Sequence, residues 1–177
     1  MHINLHDEIA AYDLAAIYES ELERDQLLVR SGVDADSTAH FVTGAYFVRN
    51  LRDQLLVALA AGARVIDVSI HPLIAATIVH HLRNRDLVAA GGSSRLEPQA
   101  VENGIADIDL HADPEIDPLS LVRIVAAQVT KPEDIPRALA ERTFQAIEER
   151  LFSHIERGYN RMHIVLPATA VECTRHF

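Results

Sequence analysis

The chain has 177 residues, 49% of them hydrophobic and 24% charged, and carries a formal net charge of -10 at pH 7. Such a composition belongs to a globular protein with enough chain to bury a core unaided, and it excludes disorder beyond a loop. The excess of acid repels a phosphate backbone at long range, which disfavours a nucleic-acid partner.

In chain order, His2 to His6 reads as a short strand, and Asp7 with Glu8 opens a helix over residues 7 to 30, where Leu14, Ile17, Tyr18 and Leu22 keep helical spacing. A second helix opens at Asp36-Ser37-Thr38 and runs to Gly62. Its wide apolar face, with Leu51, Leu55 and Leu59, marks it as the core helix, and Gly44 inside it points to a close helix crossing. Arg64 to His71 is the next strand, and Pro72 begins a third helix whose buried side is Ile74, Ile78, Val79 and Leu82. Residues 91–104, opening with Gly91-Gly92-Ser93-Ser94, form the one expected flexible loop.

Asp107 to Asp113 alternates polar and apolar residues and is read as a strand. Leu119 to Thr130 is almost continuously apolar, as a buried central strand would be. Glu133 and Asp134 then seed a long helix through Phe144, Ile147, Leu151 and Ile155, closed by Gly158. Met162 to Leu166 follows as a strand, with Thr169 to Thr174 as a further one, and the strand, helix, strand succession implies a right-handed parallel crossover. The expected fold is a single α/β domain, with α+β as the alternative: a mixed sheet of about five strands covered mainly on one side by three to four long helices.

A chemical signal recurs in three of these strands. Asp107-Ile108-Asp109-Leu110-His111, Asp67-Val68-Ser69-Ile70-His71 and His2-Ile3-Asn4-Leu5-His6 all end on a histidine that faces with the preceding polar residues. In a sheet whose strands run the same way, His6, His71 and His111 converge with Asp7 and Asp113 beyond the strand ends. Histidines with a carboxylate suit a divalent metal such as Zn, Mn or Fe, with Asp109 or Asp113 as the acid-base group of a small metal-dependent hydrolase. The segment Asp109-Leu110-His111-Ala112-Asp113 resembles the strand-end metal motif of amidohydrolases over five residues. Asp113 stands where the second histidine of that motif belongs, and the chain is too short for a barrel of about 250 residues, so membership does not follow.

Alternation also marks strands with one face in water. With no nucleotide-binding or nucleophile motif present, the leading expectation is a non-catalytic binding or assembly subunit that self-associates as a homo-oligomer through surplus apolar helix surface. Its small-molecule ligand, if it has one, is not specified by any motif. Cys173, the single cysteine, cannot form an internal disulfide, no apolar run is long enough for a membrane span, and the expected location is cytoplasmic.

Overall fold

The computed structural model describes residues 1–5, 35–90, 104–111 and 113–175. The expected helix at 7 to 30 and almost all of the loop at 91–104 lie outside them.

Among the described residues the elements run β1 (His2–Leu5), α1 (Ala35–Ala60), β2 (Val65–Ile70), α2 (Pro72–Ala89), β3 (Ala106–Asp109), α3 (Pro118–Gln128), α4 (Ile135–Glu156), β4 (Arg161–Val165) and α5 (Ala168–Thr174). A short 3-10 turn, Pro132–Asp134, precedes α4. The four strands form one mixed sheet in the order β1-β2-β4-β3, with β1 and β2 parallel, β4 and β3 parallel, and β2 antiparallel to β4 at the centre. The α/β class stands, with four strands and five helices among the described residues where about five and three to four were expected.

Alternation in the strands sorts the sheet into two faces. Ile3, Leu5, Ile66, Val68, Ile70, Ile108, Met162 and Ile164 are buried and share one core with Phe47, Leu51, Leu55 and Leu59 of α1, Ile74 and Ile78 of α2, and Phe144, Ile147, Leu151 and Ile155 of α4. The apolar arc of α1 therefore belongs to the core. On the opposite face His2, Val65, Asp67, Asp107, Asp109 and Arg161 are exposed, and Asn4, Ser69, His163 and Val165 are half-buried.

Gly44 sits where α1 crosses α2. A Cβ on Gly44 would collide with the Thr77 carbonyl oxygen and lie 2.7 Å from His81 Cβ, so only the bare backbone lets the helices meet there. Gly62 ends α1 at a positive φ of 79°, with Gly62 N–H donating to Leu59 O and Ala63 N–H to Ala58 O, which closes the last turn. No helix of the described residues is long and apolar enough to cross a membrane.

Two expected strands are helices. Leu119 to Thr130 corresponds to α3, whose N-cap Asp117 accepts a hydrogen bond from Ser120 N–H at 3.0 Å and whose first residue is Pro118. A short apolar run fits a strand and a helix equally well, and here the cap and the proline at the first helical position decide it. Thr169 to Thr174 lies in α5, which starts directly after Pro167. The parallel crossover exists, but its first strand is β3, and α3 and α4 together carry the chain across to β4.

Candidate functional site

The strand directions decide which of the sequence candidates meet. β2 and β3 run antiparallel to one another, because β2 is antiparallel to β4 and β4 parallel to β3. His71, just after β2, and His111, just after β3, therefore stand at opposite ends of the sheet, and the convergence of three strand-end histidines is corrected on this point. His6 and Asp7 lie outside the described residues. Among the described residues no three His, Cys, Asp or Glu side chains are gathered where one ion would touch them all.

Asp113 is taken up by structure. Arg150 of α4 donates from Nε to Asp113 Oδ2 at 2.7 Å and from Nη2 to Oδ1 at 3.3 Å, and Glu115 N–H donates to Oδ1 at 2.9 Å. This forked contact ties the turn after β3 to α4, and the Arg150 hydrogen bonds hold the Asp113 carboxyl below its ordinary pKa. Asp109 remains on the exposed face at the end of β3. It accepts from His111 N–H at 3.0 Å and lies 2.7 Å from His111 Nδ1. That backbone hydrogen bond first, and the imidazole contact second, lower its pKa.

Sequence reasoning passed over a second pair of the same kind. His163 Nδ1 of β4 lies 2.7 Å from Asp67 Oδ1 of β2, in the middle of the polar face. The ladder explains the contact: Ile70 N–H donates to Asn160 O and Leu166 N–H to Arg64 O, which fixes the hydrogen-bonded pairs at even positions of β2 and leaves Asp67 and His163 as a non-hydrogen-bonded pair. Side chains approach most closely at such pairs. The available signal was the polar position of His163 among the apolar residues from Met162 to Leu166, but its partner depends on register, which no single strand reveals.

Beside this pair lies a shallow concavity of about 430 Å³ lined by His2, Asn4, Asp67, Ser69, Ile105 and Arg161, with Val68 and Met162 behind. Cys173 on α5 is half-buried, and burial raises its thiol pKa, which suits an inert side chain better than a nucleophile.

The other unusual surface is α3. Over Leu119 to Gln128 of α3 only Leu121 and Val125 are buried, while Leu119, Val122 and Ile124 are 72%, 42% and 41% exposed. Leu119, Val122 and Ala126 follow one another at helical spacing of three and four, so they form a single outward stripe beside Arg123. Comparison of the chain with family models, curated proteins and solved structures gives no match in any of the three.

Proposed function

We propose that this protein is a non-catalytic binding or assembly subunit that self-associates, with α3 at the contact. The exposed stripe of α3 carries the reading. A helix with Arg123 as its one charged residue and apolar side chains over most of its surface belongs largely in an interior, yet α3, which packs on α4, leaves Leu119, Val122 and Ile124 exposed. Large apolar side chains clustered on an otherwise acidic surface are characteristic of contact sites.

A second copy of the chain is the occupant that fits. Exposed charges flank both ends of α3, Glu115 and Asp117 before it and Lys131, Glu133 and Asp134 after it, with Glu115 already paired to Arg150 at 3.1 Å, so an apolar stripe like its own matches it better than a charged surface does. Two copies of α3 packed about a two-fold axis bring the stripes of Leu119, Val122 and Ala126 against one another. One helix stripe covers less than the roughly 800 Å² per partner of a standard stable interface, so the association is of modest affinity and depends on concentration.

Sedimentation velocity over a concentration series tests this. The wild-type chain is expected to pass from monomer to dimer as concentration rises through the micromolar range, and L119D/V122D to remain monomeric with unchanged helix content. Monomer throughout for the wild type, or dimer in the double variant, would overturn the proposal.

A further inference from the structure

Between α1 and α2 on one side and α4 on the other runs an open groove of about 780 Å³, lined by helix residues alone. Its floor is apolar: Val48 and Leu56 of α1, Leu82 of α2 and Phe152 of α4 are half-buried at the edge of the core, next to buried Phe144. The lining residues of α4 run from Glu141 to Glu156 at steps that keep to one face of the helix, so this face borders the groove for about 22 Å. We propose that the groove is a docking site for an amphipathic helix of another protein, apolar toward the floor and carrying basic residues one heptad apart toward α4.

The charges along the walls specify that occupant. Glu141, Glu149 and Glu156 recur about every two turns, which sets three carboxylates in a row along one wall. Among the described residues the carboxylates of Glu149 and Glu156 have no ion-pair partner, and that of Glu141 meets only Arg137, one turn back on the same helix, at 2.9 Å. Glu148 lies deeper, its side chain 15% exposed, and is matched by Arg52 Nε at 3.2 Å. The Arg52 guanidinium also lies over the Phe144 ring, 5.5 Å from its centre, so Arg52 is occupied and the opposite wall offers Arg85 as its free charge. Burial raises the pKa of Glu148, so cations laid along the wall also favour its ionised form.

This chain is a poor occupant of its own groove. It carries a net charge of -10, and residues 7–30, the stretch with Leu14, Ile17, Tyr18 and Leu22 at helical spacing, hold more acids than arginines. The exposed stripe of α3 has Arg123 as its single basic neighbour, whereas the wall presents carboxylates over four turns.

A foreign helix with lysine or arginine at i and i+7 and apolar residues at i+3 and i+4 meets the wall and the floor together. Its other flank faces Arg85, where an acidic residue fits. Burial of the floor residues supplies most of the affinity, and the wall charges select the helix and its orientation.

This inference is independent of the contact proposed for α3, and L119D/V122D is expected to leave groove binding unchanged. The probe is a fluorescein-labelled peptide of about fifteen residues, the length of the wall, with leucine at the apolar heptad positions and lysine beside them. It is titrated with the full chain and read by fluorescence anisotropy at about 0.15 M salt, where attraction to the acidic chain is screened beyond about 8 Å. Saturable binding of one peptide per chain is expected, weakened at least about tenfold by E149K/E156K, which reverses two wall charges. D107K/E172K makes the same change of net charge outside the groove and is expected to bind as the wild type does. The same peptide with glutamate for lysine is expected to bind at least about tenfold more weakly. F152D, which puts a charge on the floor, is expected to abolish binding; if it fails to fold by circular dichroism, E149K/E156K still decides, because neither carboxylate is held by an ion pair. No saturable binding of the lysine peptide, equal binding of the glutamate peptide, or binding that E149K/E156K leaves unaltered would overturn the proposal. Loss of self-association in E149K/E156K would give the groove to a second copy and overturn it as well.

Discussion

At Gly44 a single missing methyl group sets how close α1 and α2 come. Alanine there gains helix propensity of about 1 kcal/mol over glycine. The same methyl meets the Thr77 carbonyl and His81 Cβ, and neither the α2 backbone nor a Cβ can yield without moving the helix. Overpacking of this kind costs about 1 to 3 kcal/mol, so Gly44→Ala is expected to be net destabilising in urea unfolding. A stabilised variant would contradict the close crossing. Asp113 makes a residue-scale prediction about pH. Its pKa is lower in the fold than in the unfolded chain, chiefly through Arg150, so the contribution of the pair is full above the ordinary value of 3.8 and is lost as pH falls through the lower folded value. Asp113→Asn is expected to destabilise by about 1 kcal/mol near pH 6, with the difference from wild type shrinking towards zero below that ordinary value. A difference that is constant down the acid limb would remove the ion pair as its cause.

At the scale of elements, the sequence was most readable where several local signals agreed. α1 has a wide apolar arc and a glycine stop at Gly62, α4 has regular steps from Phe144 to Ile155 and a stop at Gly158, and both lie close to where periodicity and caps put them. β2 and β4 follow the same rule, since buried Ile66, Val68 and Ile70 or Met162 and Ile164 alternate with exposed or half-buried neighbours. α3 was misread because Leu121, Val122, Ile124 and Val125 form a run that has no single period. Its helical signature was the pair Asp117-Pro118, a capping acid followed by a proline at the first helical position, and that signature is local chemistry rather than hydrophobic pattern. The error is informative about function. A run apolar enough to pass for a buried strand is instead an external helix with Leu119 and Val122 outward, and that mismatch between composition and exposure is what motivates the proposed contact.

At the scale of the molecule, strand direction was what the sequence withheld. Three strand endings with the same polarity suggested convergence, but the parallel pairs β1-β2 and β3-β4 meet antiparallel at the centre, so their carboxyl ends point to opposite sides and His71 is parted from His111. The same topology creates what no strand shows alone, the row His2, Asp67, His163 and Asp107, because cross-strand register exists only once the sheet is assembled. Each strand supplies one member of that row, and three of them, His2, Asp67 and Asp107, each opened a copy of the repeated motif without being recognisable as members of one row. The central claim, that α3 meets a second copy of the chain, is tested most directly by hydrogen exchange measured at low and high protein concentration. Amides of α3 and the adjoining turn at Lys131 are expected to gain protection as concentration rises, while those of β2 and β4 in the sheet keep the protection they have at low concentration. Protection in α3 that does not depend on concentration, or a gain confined to other elements, would contradict the account.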